Sequence, residues 1–278
     1  MIAAALVSAQ DGEVRVRSIT GNVTVIRDFV SASLGNKRDL VIYLPPDYEK
    51  SRRRYSVLYM ADGQNLFDGM TSYLPNKEWR LDETAEELIR AKKIEPLIIV
   101  GIHNAGVDRA NEYLPTRFVQ GNSQGGGRAP IYLRFLTEEL KPFIDRKFRT
   151  LRGPEHTGLG GSSFGGIITL YSGLSRPDVF SKLAVVSPSV WWDNRVMLKF
   201  VEMLPKKTKS KIWVDIGTAE GPGAVPNTLA LRDALVQKGW ILDQDLRYME
   251  DPGAIHQEGA WAKRMPTILQ YLFPYTKG

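Results

Sequence analysis

Short apolar runs alternate with helical patterns along most of this chain. The runs 56–60 and 97–102 predict buried strands, and 211–220 predicts a strand that ends in a loop. Apolar residues recur at helical spacing over 132–143, and 227–238 predicts a helix that ends before a glycine. This alternation is typical of an α/β fold with a mostly parallel central sheet and helices on both faces.

The first third of the chain has a different pattern. Two strand-like runs, 23–30 and 40–44, flank the turn-like segment 33–37, so we expect an antiparallel hairpin that leads into the sheet. Further along, 120–127 is polar and rich in glycine, which predicts a mobile loop near the functional site of the protein. There are no repeats or long linkers, and we therefore expect a single domain over 20–275.

Composition narrows the class of protein. The chain has 278 residues, of which 43% are hydrophobic and 24% charged, which is ordinary for a soluble globular domain. The net charge of +6 is scattered and no aromatic-basic array accompanies it, so we expect no nucleic-acid partner. No apolar stretch approaches the roughly 20 residues of a membrane span. With no cysteine and three histidines, we also expect no metal and no cofactor.

The N-terminal segment 1–10 (MIAAALVSAQ) has an apolar run and a cleavage-like Val-Ser-Ala triplet. It favours the end of a truncated secretory signal and hence a periplasmic or secreted protein. The alternative is the frayed N-terminus of a cytoplasmic protein.

A serine motif supplies the candidate nucleophile. The pentapeptide from Gly161 to Gly165 fits G-x-S-x-G, which places Ser163 on a sharp turn between a strand and a helix. Residues 155–160 predict the strand, and an apolar helix follows the motif until Arg176-Pro177. The alternative is a glycine-rich turn that only joins a strand to a core helix.

An α/β-hydrolase needs an acid and then a histidine after the serine. His156 lies seven residues before Ser163, about 23 Å away along a strand, at the wrong end of the sheet. His103 could reach the mouth of the site but precedes the nucleophile. His256, in a loop between a predicted strand (241–249) and a final helix, is therefore the candidate base, against the alternative of a surface histidine.

Two carboxylates compete for the acid. Glu220 is the first carboxylate beyond the end of the predicted strand, and we assign it the role of orienting His256. Asp215 lies inside the apolar run, where we expect it to hydrogen-bond to neighbouring loops instead.

The oxyanion of acyl transfer needs amide donors. Phe164, directly after the nucleophile, supplies the first. The second is expected from the turn after strand 56–60, with Gln64 favoured over Asn65, although an Asp-Gly sequence also suits an ordinary turn. Candidates for the wall of the substrate cleft are aromatic or polar residues near these motifs, or else core and loop-bracing residues: Trp79, Trp191, Trp192, Asn65, His103, Arg109, Glu112 and Tyr113.

Several segments together carry a family resemblance: GGSSFGG, VLYMADGQNLFD, EWRLDETAEELI, LIIVGIHNAGVDRANEYLP, SPSVWWDN, IWVDIGTAEG and IHQEGAWAKR. The chain resembles, over about residues 20–275, the Putative esterase family of α/β-hydrolases. That family includes enterochelin esterases, feruloyl and acetyl xylan esterases, S-formylglutathione hydrolases and mycolyltransferases. By this resemblance Ser163, Glu220 and His256 match catalytic positions, and Trp191 with Trp192 matches a WW segment of the enterochelin esterase branch.

The segment DGQN departs from the histidine-glycine pair that many relatives carry, so Gln64 and Asn65 are the two alternatives for the second oxyanion donor. The resemblance implies a serine carboxylic ester hydrolase that forms an acyl-enzyme. The expected substrates are small-molecule or oligosaccharide esters, with acyl or feruloyl esters of carbohydrates favoured. The alternatives are a siderophore lactone esterase, an acyltransferase to a sugar, and a catalytically silent glycan-binding domain.

Overall fold

A computed structural model describes residues 14–120 and 123–276 of the chain. The predicted export segment 1–10 lies outside the described residues and stays a prediction. The strands are β1 (Asn22–Ser31), β2 (Asn36–Leu44), β3 (Ser56–Ala61), β4 (Leu97–Ile102), β5 (Arg117–Gln120), β6 (Ser123–Gly126), β7 (Thr157–Ser163), β8 (Lys182–Pro188), β9 (Lys211–Gly217) and β10 (Leu246–Asp251).

The α-helices are α1 (Leu81–Arg90), α2 (Arg109–Tyr113), α3 (Ala129–Arg134), α4 (Lys141–Lys147), α5 (Phe164–Ser175), α6 (Trp192–Met203), α7 (Ala224–Lys238) and α8 (Glu258–Leu272). A π-helical segment, Phe135–Leu140, joins α3 to α4, so the helical pattern of 132–143 is confirmed. None of the helices in the described ranges is long and apolar enough to cross a membrane.

The main sheet has eight strands in the order β1-β2-β4-β3-β7-β8-β9-β10. β2 pairs antiparallel with both β1 and β4, while every pair from β4 to β10 is parallel. The expectation of a mostly parallel sheet with an antiparallel N-terminal hairpin is therefore confirmed. Parallel strands present their carboxyl ends at one edge of the sheet, and the loops that follow β3, β7, β9 and β10 meet there.

The core lies on both faces of this sheet. Side chains alternate along β3, with Val57 and Tyr59 packed into one apolar cluster and Leu58 and Met60 into the other. α1 and α8 cover the second cluster, while α3 to α7 cover the first. Because each fully buried large apolar side chain contributes about 1.5–3 kcal/mol, the two clusters hold the sheet rigid beneath the loops at its edge.

Two predicted strand boundaries were wrong. The strand expected at 155–160 begins only at Thr157, because Pro154–His156 forms a 3₁₀ turn, and it extends to Ser163. The strand expected at 241–249 begins at Leu246, because the Asp245 carboxylate accepts a hydrogen bond from the Ile241 amide (2.7 Å) and closes a turn there.

The segment expected to be a mobile loop is largely a β-hairpin. β5 pairs antiparallel with β6, from Arg117 opposite Gly126 to Gln120 opposite Ser123. Gly126 has a φ of +84°, and a Cβ there would lie 2.2 Å from the Thr116 carbonyl oxygen. The glycines thus permit close backbone pairing, a role that the loop prediction did not consider.

Candidate active site

Ser163 lies at the junction of β7 and α5. Its backbone has φ 59° and ψ −122°, a strained conformation for a residue with a side chain. The flanking glycines make the turn tight, because a Cβ on Gly161 would lie 2.8 Å from the carbonyl oxygen of Gly165. This is the strand-to-helix elbow that the G-x-S-x-G motif predicts, and it presents the serine at the carboxyl edge of the sheet.

The Ser163 hydroxyl contacts another serine. Its Oγ lies 3.1 Å from the Oγ of Ser189, and the Ser189 amide donates to the Ser163 carbonyl (3.2 Å). Within residues 14–120 and 123–276, no hydrogen bond joins Ser163 to His256, although both residues line the same cleft. A rotation of the Ser163 side chain away from Ser189 is thus needed before the two can exchange a proton.

His256 and Glu220 are in direct contact. The loop after β9 carries Glu220, the loop after β10 carries His256, and the two strands are parallel neighbours. The His256 Nδ1 lies 2.7 Å from the Glu220 Oε2. The imidazole ring also packs edge-on against Trp261, with ring centroids 5.0 Å apart. These contacts fix the ring orientation and leave Nε2 free for the cleft.

Glu220 is buried and well supplied with donors. Its side chain is 2% exposed, and its Oε1 accepts hydrogen bonds from the Ser187 hydroxyl (2.6 Å) and the Gly217 amide (2.8 Å). Burial opposes ionisation, but the hydrogen bonds from His256, Ser187 and Gly217 outweigh it and hold the pKa of Glu220 below its usual value. The carboxylate is therefore charged at neutral pH.

Asp215, the competing acid, does not contact His256. It accepts hydrogen bonds from the Trp213 indole (2.7 Å) and the Ser187 amide (3.0 Å), and it forms a buried ion pair with Arg264. Burial raises the pKa of Asp215 to about 6, against the opposing charge of Arg264. The structure thus places Glu220, and not Asp215, beside the histidine.

The candidate oxyanion amides lie on two different turns. Phe164 is the first residue of α5, so its N–H has no partner within the helix. Gln64 lies in the 3₁₀ turn Gly63–Asn65 after β3 and lines the same cleft as Ser163. A Cβ on Gly63 would lie 2.4 Å from the backbone carbon of Gly101 on β4, so the glycine lets this turn pack against the sheet.

An ion pair braces the turn that carries Gln64. The Asp62 carboxylate receives two hydrogen bonds from Arg109, each 2.7 Å, and a third from the Asn104 amide group (2.7 Å). Burial disfavours the charged guanidinium, but Asp62 outweighs burial and raises the pKa of Arg109. Sequence reasoning proposed Arg109 as a cleft residue and missed Asp62, whose partner lies 47 residues away.

A cleft of about 400 Å³ opens above Ser163 and His256. Its lining includes three expected residues, Gln64, Asn65 and Arg109. The remaining lining residues are Asp62, Tyr73, Leu74, Asn104, Gly106, Ser162, Glu258 and Trp261. Glu258 was not among the expected residues, although its position two residues after His256 could have indicated it.

A second cavity, of about 260 Å³, lies on the other side of His256. Trp191 lines it and is 55% exposed, in agreement with its expected place at the substrate cleft. Trp192 is only 6% exposed and lines neither cavity; its ring packs against Phe118 and Phe164. The expectation that Trp192 contacts substrate was therefore wrong, because adjacent residues at this helix start point in different directions.

Two further histidines and one tryptophan lie outside both cavities. His103 does not line the cleft; its pKa is lowered by burial, and the nearest charges are Asp39 and Arg27, so its expected place at the mouth was wrong. His156 contacts Ser56 (3.2 Å) at the amino ends of the strands, as expected. Trp79 is buried against Trp261.

Among the described residues, one group of carboxylates could hold a cation. Oxygens of Glu78, Asp82 and Glu83 all lie within 4.8 Å of one another at the start of α1, and none of these residues lines the cleft. Burial raises the pKa of Glu78 to about 7 and that of Asp82 to about 8. Both carboxylates also hold the N-terminal segment, through the Ser18 hydroxyl and the Thr20 amide.

The sheet topology and the serine elbow define this chain as an α/β-hydrolase. Its sequence over residues 31–272 matches the family described as Putative esterase, and the chain belongs to that family. This confirms the family that the sequence motifs indicated.

Two relatives and one solved structure indicate the range of this family. The chain is 25% identical over 257 residues to an endo-1,4-beta-xylanase/feruloyl esterase of Xylanibacter ruminicola, covering 91% of this chain and 31% of the relative. It is 26% identical over 155 residues to a siderophore enterobactin esterase of Emericella nidulans, covering 54% of this chain and 51% of the relative. The solved structure of an IroE-like serine hydrolase from Shewanella oneidensis superposes with a TM-score of 0.70 at 25% identity, covering 90% of this chain and 79% of the other.

Proposed function

We propose that this protein is a serine carboxylic ester hydrolase that works through an acyl-enzyme, with Ser163 as nucleophile, His256 as general base and Glu220 as the acid that orients it. The observation that carries the proposal is the 2.7 Å contact between His256 and the buried Glu220, beside a strained serine elbow that opens into the same cleft. Nucleophile, base and acid follow in the chain order of an α/β-hydrolase.

In the first half-reaction, the Ser163 hydroxyl leaves Ser189 and attacks the ester carbonyl carbon while His256 Nε2 takes its proton. The negative charge of Glu220 stabilises the imidazolium. The amides of Phe164 and Gln64 donate to the oxyanion, and each such donor contributes on the order of 3 kcal/mol to transition-state stabilisation. His256 then donates the proton to the leaving alcohol, and the acyl group stays on Ser163.

In the second half-reaction, His256 takes a proton from water, which attacks the acyl-enzyme. The carboxylic acid departs and the proton returns to the Ser163 oxygen. Every proton removed by His256 is returned in the same half-reaction, so the cycle needs no cofactor.

For the substrate we favour acyl or feruloyl esters of carbohydrates. The two cavities flank His256, so one can receive the acyl group and the other the alcohol. The exposed indole of Trp191 offers a face for an aryl acyl group. The Xylanibacter ruminicola relative is an endo-1,4-beta-xylanase/feruloyl esterase, which supports this class.

A siderophore lactone is the second candidate substrate. The Emericella nidulans relative is a siderophore enterobactin esterase, and this similarity supports a lactone equally. A lactone is opened by the same attack of Ser163, and the alcohol then remains tethered to the acyl group.

The test is hydrolysis of short p-nitrophenyl esters, methyl ferulate and a serine trilactone by the wild type, Ser163→Ala and His256→Ala. We expect activity to vanish in both variants and to persist in His156→Ala and Ser181→Ala, which alter residues at the opposite end of the sheet. Activity that survives Ser163→Ala contradicts the mechanism. Product formation that rises with an added sugar identifies an acyltransferase, while a silent wild type that binds glycans but no serine-directed phosphonate identifies a binding domain.

A further inference from the structure

Glu258 is a buried carboxylate in the wall of the cleft. It is 6% exposed, it is the first residue of α8, and it lines the cleft together with Ser163 and His256. Its Oε1 accepts a hydrogen bond from the Asn65 side-chain amide (3.1 Å). In the part of the chain that the structure describes, no lysine or arginine forms an ion pair with it.

Asp62 and Glu220, the other two carboxylates around the site, each accept several hydrogen bonds, whereas Glu258 accepts one from a side chain. Asp62 has Arg109 and Asn104, and Glu220 has His256, Ser187 and Gly217. Burial raises the pKa of Glu258 above its usual value and the charge of Asp62 acts in the same direction, while its own backbone amide and the charges of His256 and Arg109 oppose them. A carboxylate has about four lone-pair sites, so Glu258 keeps acceptor capacity that faces the cleft.

The groups beside Glu258 are complementary to hydroxyls. Asn65 accepts from the Tyr73 amide (2.9 Å) and turns its NH₂ group towards Glu258, while the Gln64 side-chain oxygen accepts from the Asn104 amide (3.3 Å), which leaves its NH₂ group as a donor. Glu258 and Gln64 both line the cleft, so the acceptor and this donor border the same space. A hydroxyl group both donates and accepts, and it can satisfy the two together.

The charged side chains that line the cleft also restrict the class of ligand. Asp62 forms an ion pair with Arg109, whereas Glu258, among the described residues that line the cleft, forms no ion pair with a lysine or an arginine. A carboxylate or phosphate on the substrate would meet a like charge in a site of low dielectric. An uncharged hydroxyl donates to Glu258 without that cost.

We propose that Glu258, assisted by Asn65, binds a hydroxyl group on the alcohol part of the substrate, and that the enzyme thereby selects esters of uncharged polyhydroxylated alcohols over simple alkyl esters of the same acid. The inference rests on the proposed ester hydrolase function. We assign Glu258 to the alcohol side because it lines the cleft with Ser163 and His256, whereas Trp191, the proposed contact of the aryl acyl group, lines the other cavity. The aryl group then occupies the cavity lined by Trp191.

The test compares feruloyl esters of one acid with two alcohols, methanol and arabinose, in the wild type and Glu258→Gln. We expect the wild type to prefer the sugar ester in kcat/KM by at least tenfold. Glu258→Gln should lower this ratio about tenfold or more, mainly through KM, because hydrogen bonds to a charged group are stronger than those to a neutral amide. Glu250→Gln, on the exposed part of β10, serves as the control and keeps the wild-type ratio.

A wild-type ratio near one, or a ratio unchanged in Glu258→Gln, overturns the inference while leaving the esterase function intact. A wild type that hydrolyses neither ester but opens the serine trilactone overturns the inference alone, and one that hydrolyses none of the three overturns both. A second measurement needs no variant at the site: methyl arabinoside should inhibit wild-type hydrolysis of methyl ferulate at concentrations at least tenfold lower than galacturonate at pH 8. Equal inhibition, or stronger inhibition by galacturonate, also overturns it.

Discussion

Replacing Glu220 by glutamine tests the orientation of His256 with a change of a single group. Three short hydrogen bonds converge on this carboxylate, from the Ser187 hydroxyl and the Gly217 amide to Oε1 and from His256 Nδ1 to Oε2, and the Arg264 guanidinium lies 3.5 Å from Oε1. Ser187 cannot reverse its hydrogen bond, because its own oxygen already accepts from Trp261 (3.0 Å) and Arg264 (3.2 Å). The glutamine oxygen must therefore occupy the Oε1 position.

The glutamine NH₂ group then faces His256 Nδ1. It donates to that nitrogen and so selects the tautomer that carries its proton on Nε2, which cannot accept the proton of Ser163. The loss of the negative charge also removes the stabilisation of the imidazolium. For a wrong-tautomer substitution of this kind we expect kcat to fall roughly 10³- to 10⁴-fold, or about 4–5 kcal/mol at about 1.4 kcal/mol per factor of ten.

The assay is steady-state hydrolysis of p-nitrophenyl acetate at pH 7.5, with thermal unfolding followed in parallel. Glu220→Gln should fold with a melting temperature within about 5 °C of the wild type, since the shape and two of the three hydrogen bonds are kept. Glu250→Gln is the matched control. A Glu220→Gln variant that is folded and keeps more than about a tenth of the wild-type kcat would refute the assigned role.

Three further outcomes are expected. Gly63→Ala should lower kcat about 100-fold, because its Cβ would lie 2.4 Å from the Gly101 backbone and would displace the Gln64 amide; unchanged steady-state kinetics would contradict this. Trp191→Ala should raise KM for aryl esters about five- to tenfold and leave the urea midpoint nearly unchanged, because the side chain is 55% exposed; an equal rise for acetate esters would count against an aryl site. Asp82 has a pKa of about 8 in the folded protein against 3.8 normally, so its protonated form stabilises the fold below about pH 4 and this contribution is lost as the pH rises to 8. Asp82→Asn should therefore be more stable than the wild type at pH 8, by on the order of 1–3 kcal/mol in urea unfolding, with a difference that shrinks towards pH 4; parallel stability curves for the two proteins would disprove the assignment.

Local patterns predicted the sheet and the serine elbow correctly. β4 coincides with the predicted run 97–102, because an uninterrupted apolar segment between polar ends leaves little choice of boundary. The contact between His256 and Glu220 was also predicted, since strands of a parallel sheet end at one edge and both residues come soon after a strand.

Other features depend on tertiary contacts that no local pattern encodes. His103 and Asn104 are adjacent after β4, but the chain turns between them and only Asn104 lines the cleft. The buried pair of Asp62 with Arg109 joins two loops, and the spacing in sequence gives no signal for it. Gly125 and Gly126 were interpreted as part of a loop because their pairing partners, rather than their own propensities, place them in a hairpin.

The position of His256 after β10 has a consequence for the order in which the enzyme is made. A ribosome releases the chain from its N-terminus, and Ser163 precedes His256 by more than ninety residues. A nascent chain that has already folded around β7 thus carries a serine without its base, and α8 has not yet brought Trp261 against the imidazole. By the proposed mechanism, ester cleavage begins only when β10 and α8 dock, so a translation product interrupted before them is inert.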